Sequence, residues 1–139
     1  MSRSIQVPTG IFDSRQFGFA QVTIVTTSAG REVHVSGQTA WDAERNIVGA
    51  GDIGRQLEKS LTNVAAALES VGAKLDQVGS LRIYIKQSHM HEGKAIGGAL
   101  KAVFGDQLPC STWVGVPCLA REEFLVEVEP SPVLLPHGP

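Results

Sequence analysis

The feature that most constrains this fold is an amphipathic helix that leads into an alternating strand. After Asp52, whose side chain can cap a first turn, apolar residues recur every three or four positions. They are Ile53, Leu57, Leu61, Val64, Leu68 and Val71. Gly72 suits the left-handed position after the last turn, and residues 81–86 then alternate apolar and polar side chains, as in a strand with one buried face. A helix followed by such a strand predicts a crossover connection in a sheet.

The remainder of the chain predicts further strands and a weaker helix. Val, Ile and Thr are enriched on both sides of a Ser-Ala-Gly turn, which is typical of a hairpin. The second helix contains three glycines, and each costs about 1 kcal/mol relative to alanine unless close packing against the sheet requires it. In chain order, the predictions are strands at 17–27 and 32–37, a loop at 41–51, the first helix, the strand at 81–86, a helix at 92–104, and strands at 111–116 and 124–129.

This order of elements predicts one α+β domain over residues 1–130, with a mixed sheet and both helices on one face. Two helices cover only one side of a sheet of five or six strands, so self-association is expected to cover the other. Residues 131–139 form a proline-rich tail that we expect to extend beyond this fold, either mobile or against a neighbouring copy.

Composition excludes several classes of protein. With 139 residues, 42% hydrophobic and 19% charged, the chain fits one globular domain and is too apolar to be disordered. The net charge of -2 and the scattered basic residues disfavour a nucleic-acid partner. No stretch is long and apolar enough for a membrane span or a secretion signal, so a cytoplasmic location is expected. Cys110 and Cys118 would lie about 26 Å apart in an extended segment, which predicts free thiols.

Few residues suggest chemistry by themselves. His89 and His91 would project to one side of an extended segment, but no acidic or cysteine ligand stands at a recognisable spacing, so we predict neither a metal site nor a cofactor. Glu127 and Glu129 share one face of the last strand, where acidic pairs usually face solvent. If another subunit covers that face, a buried carboxylate there can orient water or exchange protons.

Several motifs carry a family resemblance that runs from about residue 17 to 129. They are SGQTAWD, GDIGRQLEKSLTNVAAALESVGAKLDQV, RIYI, the LP before Cys110, VGVPCLA and FLVEVEP. In this order they resemble the RidA/YjgF family. The resemblance implies a chorismate-mutase-like α+β fold, assembled as a homotrimer whose sheets form an internal barrel. It also implies hydrolysis of reactive 2-imino or enamino acids to 2-keto acids and ammonia, in clefts between subunits.

The resemblance also implies which residues form that cleft. Glu127 matches the catalytic glutamate that positions the attacking water, and Ser36 and Gly37 match a pair whose backbone lines the cleft. Other positions depart from the founding subgroup: Phe19 replaces a tyrosine and Gly97 an asparagine. The predicted ligand-binding positions are Phe19, Ser36, Gly37, Gly97, Ser111, Thr112 and Trp113.

The largest departure is at Ser111, where the founding subgroup has the arginine that grips the substrate carboxylate. A bidentate guanidinium contact is worth on the order of 3 kcal/mol, or about a hundredfold in rate, and one hydroxyl cannot replace it. Trp113, in place of a small cysteine, would also narrow the cleft. Arg121, in the following loop, is interpreted as a solvated side chain. We therefore expect weak or absent activity on classical 2-imino acids.

Three functions remain open from the sequence. The first is a homotrimer that hydrolyses a small imine or enamine metabolite in its inter-subunit cleft with the help of Glu127. The second is a non-catalytic module that binds or senses a small molecule in the same cleft. The third, an endoribonuclease, follows only from activity in some relatives and conflicts with the charge balance.

Overall fold

Two α-helices and seven strands form the described part of the computed structural model, residues 1–138. The helices are α1 (Ile53–Glu69) and α2 (Gly93–Phe104). The strands are β1 (Ser2–Gln6), β2 (Val22–Thr27), β3 (Gly30–Val35), β4 (Ser80–Lys86), β5 (Cys110–Val116), β6 (Val126–Pro130) and β7 (Val133–Leu135).

Helix α1 begins where the sequence predicts and ends at Glu69, two residues before Val71, the last apolar position of the predicted stripe. The Asp52 carboxylate accepts a hydrogen bond from the Arg55 backbone N–H at 3.1 Å, which satisfies one donor of the first turn. Beyond the last turn, Gly72 has φ of 81° and the Ala73 N–H donates to the Leu68 carbonyl. The buried stripe, with Leu57 and its apolar neighbours, then packs on the sheet.

The strands form two sheets instead of the single sheet that the sequence predicts. One is antiparallel, in the order β1-β2-β3-β7, and the other is mixed, in the order β5-β4-β6, with β4 parallel to β5 and antiparallel to β6. They meet where Gln38 and Val128 exchange two backbone hydrogen bonds of 2.8 and 2.9 Å. A single bridge therefore makes the two sheets nearly continuous beside the end of β3.

Both helices cover the same side of the mixed sheet, as predicted. Ile83 and Ile85 of β4 are fully buried in one apolar cluster with Leu61 of α1 and Ile96 of α2. On the other side, Tyr84 stays half-exposed. This second side of the sheet, which we call the open face, has no helix over it in the described chain.

The two ends of the chain depart from the prediction. Residues 2–6 form β1, which pairs with β2 and has no clear signal in the sequence. Residues 133–135 were predicted to extend beyond the fold, and that prediction is wrong: they form β7 against β3, with Val133 and Leu135 buried. The three apolar residues of β7 are consecutive, and they form a strand despite the prolines on either side because β3 offers them an unpaired edge. Pro139 lies outside the described residues.

Other local predictions need smaller corrections. The first predicted strand begins at Val22 instead of residue 17, because residues 15–17 form a 3-10 turn. In α2, a Cβ added to Gly97 or Gly98 would meet no heavy atom within 4 Å, so close packing does not explain these two glycines. Both cysteines are free, as predicted, and both are exposed. None of the described helices has the length and apolar character needed to cross a membrane.

Candidate functional site

A cavity of about 370 Å³ lies beside Glu127. Its walls come from the segment before β2, the segment after β3 and the loop before β6. Five of the lining side chains are aromatic, and Glu127 and Arg121 are the charged ones. The lining residues are Phe12, Phe17, Phe19, Gly37, Thr39, Trp41, Ala120, Arg121, Phe124 and Glu127.

Glu127 is placed in this cavity by the strand register and by a glycine. Glu127, in β6, pairs with Tyr84 of β4 and is half-buried on the open face. Val126 and Val128, on either side of it in the strand, point into the core. A Cβ on Gly37 would collide with Oε2 of Glu127, so only glycine leaves room for the carboxylate in this position.

The electrostatics of the site raise the proton affinity of Glu127. Burial raises the pKa of Glu127 above its ordinary value, and the carboxylate of Glu129, two residues along the same face, raises it further. Glu129 itself has polar partners, because it accepts a hydrogen bond from the Tyr84 hydroxyl at 3.3 Å and lies 3.5 Å from Arg82. Glu127 is therefore the carboxyl on this face whose proton affinity is tuned by its surroundings.

A short turned segment supplies three of the aromatic rings. The Ser14 hydroxyl, which is buried, donates to the Phe19 carbonyl at 2.6 Å, and the Phe17 N–H donates to the Ser14 carbonyl at 2.8 Å. Gly18 closes the turn with φ of 89°, a value that glycine adopts without strain. These bonds fix residues 12–19 so that Phe12, Phe17 and Phe19 line one side of the cavity.

The opposite side is built on Trp41, whose ring lies edge-on to Phe12 and to Phe124 at centroid distances of 5.2 Å each. The guanidinium of Arg121 stacks over the same indole, 5.2 Å from its centroid. The sequence predicts Arg121 as a solvated loop residue; the structure places it at the cavity, although it stays exposed. Stacking on Trp41 holds this loop cation at the cavity that Glu127 also lines.

Buried amides connect these elements beneath the cavity. Gln38 donates to the Gln21 side chain at 2.7 Å, and Gln21 donates to the Phe12 carbonyl at 3.3 Å. Gln38 also donates to the carbonyl of Ser36 at 3.0 Å. Because a buried amide without its partners is costly, this chain of bonds fixes the register between the aromatic segment and the end of β3.

The structure brings together only part of the predicted site. Phe19, Gly37 and Glu127 line the cavity, and Ser36 lies beside it with its hydroxyl donating to the Ala20 carbonyl at 2.7 Å. Gly97 is in α2 and is not among the residues that line it.

The other predicted residues lie in β5, away from Glu127. Ser111 and Thr112 line a different depression of about 390 Å³, together with Arg82 and Glu129. Trp113 donates from Nε1 to the Ser111 hydroxyl at 3.1 Å and has its ring near Gly93, at the start of α2. These residues therefore do not join the cavity within one chain.

Strand register explains the separation of Ser111 and Trp113 from Glu127, whereas Thr112 pairs with Arg82 and shares the open face with Glu129. Ser111 and Trp113 pair with Leu81 and Ile83, whose side chains point toward the helices. Glu127 pairs with Tyr84, which points to the open face. Neighbouring side chains in register share one side of a sheet, so Ser111 and Glu127 of one chain face opposite sides.

Sequence reasoning missed the aromatic half of the cavity, chiefly Phe12, Phe17, Trp41 and Phe124. One signal was present: three phenylalanines within eight residues, spaced around a polar turn.

Among residues 1–138, no group of three or more His, Cys, Asp or Glu side chains is placed to hold a metal ion. His89 and His91 do stack on each other, at 6.4 Å between ring centroids.

Comparison with known proteins identifies the family. The family model described as Endoribonuclease L-PSP matches residues 18–132. A protein of Dermatophagoides farinae named 2-iminobutanoate/2-iminopropanoate deaminase is 30% identical over 100 residues, which cover 72% of this chain and 76% of that protein.

Solved structures give the same result. A Mycobacterium tuberculosis protein, described as a member of the highly conserved YjgF/YER057c/UK114 family, superposes with a TM-score of 0.74 at 27% identity, covering 96% of this chain and 100% of its own. A Yersinia pestis protein of the conserved Rid family superposes with a TM-score of 0.68 at 29% identity, covering 97% and 100%. The motifs, the fold and these matches agree: the chain belongs to the RidA/YjgF family, which is also described as the endoribonuclease L-PSP family.

Proposed function

We propose that this chain hydrolyses the C=N bond of an imine or enamine metabolite, in a cleft between the subunits of a cytoplasmic homotrimer. One observation carries the proposal: a half-buried carboxyl with a raised pKa, Glu127, stands against Gly37 in a cavity of ligand size. The deaminase name of the Dermatophagoides relative supports the same reaction class.

In the proposed mechanism, Glu127 handles the protons. The substrate reacts as the protonated iminium: the carboxylate accepts a proton from water as the water oxygen bonds to the iminium carbon, which gives a neutral tetrahedral amino alcohol. The carboxyl then returns this proton to the nitrogen, and as the C–N bond breaks the carboxylate accepts the hydroxyl proton of the amino alcohol, so that ammonia and a carbonyl product leave. An enamine reaches the same path after protonation at carbon. A pKa nearer to neutral suits a group that must accept a proton and then donate it.

Association of subunits is part of this proposal. Ser111 and Glu127 face opposite sides of the sheet within one chain, so a shared ligand needs Ser111 from one copy and Glu127 from another. The half-exposed open face supplies a surface on which the copies can meet. The free thiols of Cys110 and Cys118 fit a reducing cytoplasm.

Small 2-imino acids are expected to be poor substrates. In β5, Ser111 offers one neutral hydroxyl, and Trp113 donates its indole N–H to that hydroxyl. No cation stands at the position where the founding subgroup has its arginine, so a short anionic substrate gains little binding there.

The test is release of ammonia from imines generated in place by an amino-acid oxidase. We expect Glu127→Gln to lower turnover at least about a hundredfold, because it removes the base and keeps the shape. The control is Glu123→Gln, a loss of the same charge at an exposed position of the loop before β6. Equal turnover in Glu127→Gln and the wild-type protein would remove Glu127 from the mechanism.

The same experiment separates the competing function. The cavity is mainly aromatic, which also suits a receptor that binds a ligand without changing it. A ligand that binds and is recovered intact from the wild-type protein after long incubation would replace the hydrolase with a binding module.

A further inference from the structure

We infer that Arg121 and the aromatic cavity select a carboxylate ligand with a bulky apolar side chain, namely an aromatic 2-imino or 2-enamino acid. In this arrangement the guanidinium of Arg121 binds the carboxylate and the aromatic rings contact the side chain. The reaction of such a ligand rests on the proposed hydrolysis at Glu127, but its binding does not.

The shape and composition of the cavity set the size and polarity of the ligand. About 370 Å³ is within the range of small-molecule sites and is lined mostly by aromatic rings. The rings of Phe12 and Trp41 are held edge-to-face by their neighbours, so the cavity is preformed. A methyl or ethyl group would leave most of these rings in contact with water, whereas a benzyl group would bury them.

Arg121 is available to a ligand. Two other cations near the open face already have acidic partners, because Lys86 lies 2.8 Å from Glu122 and Arg82 lies 3.5 Å from Glu129. Arg45 stacks over the Phe17 ring at 5.6 Å, but it is not among the residues that line the cavity. Among the described residues, no carboxylate lies within ion-pair distance of Arg121, which contacts the face of Trp41. Stacking by its face leaves the N–H donors at the edge of a guanidinium directed outward, where a carboxylate can accept two of them.

The position of Arg121 also fits the reacting atoms. In a 2-imino acid the C=N carbon is bonded both to the carboxylate and to the side chain. Arg121, the aromatic rings and Glu127 all line one cavity, so a ligand that reaches the first two lies in the same cavity as the proposed proton acceptor. The chain thus provides a carboxylate-binding cation from the loop before β6, whereas Ser111 in β5 provides none.

Calorimetric titration of the full chain tests the binding, with stable keto compounds as probes. We expect phenylpyruvate to bind at least about tenfold more tightly than pyruvate, and Arg121→Gln to weaken phenylpyruvate binding at least about tenfold. Phenylacetone, which lacks the carboxylate, should bind equally to both proteins. Arg55→Gln, the same change on the exposed surface of α1, is the control and should bind phenylpyruvate as the wild-type protein does.

A second variant separates the ionic role from packing on Trp41. Arg121→Lys keeps the charge and much of the stem, so we expect phenylpyruvate affinity between those of the wild-type protein and Arg121→Gln. Equal affinity of Arg121→Lys and Arg121→Gln, or equal binding of pyruvate and phenylpyruvate by the wild-type protein, would overturn the inference.

Turnover measurements distinguish the two proposals from each other. Phenylpyruvate binding that depends on Arg121, without ammonia release from any imine, would support this inference and contradict the hydrolase. Turnover that depends on Glu127, with no dependence on Arg121 and no preference for the imine of phenylalanine over that of alanine, would support the hydrolase and overturn this inference.

Discussion

Glu127 is a residue whose environment favours reactivity over stability. In the unfolded chain its carboxyl ionises near the ordinary value for glutamate, whereas in the fold burial and Glu129 raise its pKa. Between those two pKa values the folded state binds more protons than the unfolded state, so folding free energy becomes less favourable as pH rises through this interval. At neutral pH the ionised carboxylate therefore opposes folding.

This cost predicts that Glu127→Gln stabilises the fold at pH 7 while it lowers turnover. The neutral amide has no charge to desolvate, and the stability difference between variant and wild type should shrink as pH falls from the raised pKa of the folded state toward the ordinary pKa of glutamate. Urea unfolding at pH 7 and pH 4 measures both effects. A destabilised variant at pH 7 would mean that the carboxylate has a favourable partner in the fold.

Replacing the neighbouring Glu129 is expected to shift the pH profile of kcat/KM. Because its carboxylate raises the pKa of Glu127, Glu129→Gln should lower that pKa. Glu127 must be ionised to accept a proton from water, so kcat/KM rises with pH as it deprotonates, and the rising limb should move to lower pH in Glu129→Gln. The exposed Glu123→Gln should leave the limb in place. An unmoved limb in Glu129→Gln would assign it to another group.

At the scale of elements, the sequence predicts those helices and strands whose apolar residues recur with a regular period. Helix α1 has a continuous apolar stripe and a capping aspartate, and β4 alternates cleanly, so both are predicted close to their observed bounds. Strand β7 has only three residues and is specified by the free edge of β3, a partner about a hundred residues away that no local pattern reveals. The same is true of Phe12 and Trp41, which meet only after the chain folds.

Replacing either of two glycines in helix α2 by alanine is expected to stabilise the fold. Gly98 is exposed, and a Cβ added there or at Gly97 would meet nothing within 4 Å, so alanine removes backbone entropy from the unfolded chain without a clash. Each substitution should stabilise the fold by about 0.5–1 kcal/mol, measured by thermal unfolding.

Comparing Gly97→Ala with Gly98→Ala separates an effect on helix stability from an effect on ligand binding. The family resemblance places Gly97, but not Gly98, in the cleft. Gly97→Ala should therefore also change KM, whereas Gly98→Ala should leave it unchanged. If Gly97→Ala gains stability and keeps the wild-type KM, Gly97 is not a ligand contact.

For the whole molecule, the candidate site is only half predictable from one chain. Glu127 and Gly37 are neighbours through β-strand pairing within the chain, and the motifs identify both. Ser111 and Trp113 belong to the same predicted site, yet β5 directs them to the helix side of the sheet. A sequence motif records which residues act together, but it does not say whether one chain or two bring them together.

The proposed cleft between subunits predicts that catalysis requires association through the open face. Val114 lies in one row with Tyr84 and Glu127 on that face and is half-buried, so a charge there disturbs little of the chain's own core. Val114→Glu should shift the protein from the proposed trimer to a monomer in sedimentation at micromolar concentration, because each interface would then bury an unpaired carboxylate. Turnover should fall with association, while the far-ultraviolet circular dichroism of the folded chain is retained.

Ala102→Glu supplies the matched control, because it adds the same charge at an exposed position of α2, on the side of the sheet away from the open face. It should remain trimeric and active. A wild-type protein that sediments as a monomer and still releases ammonia would place the whole reaction in the cavity of one chain. Arg121 and the aromatic rings would then bind the substrate without Ser111, since both line the same cavity as Glu127 in one copy.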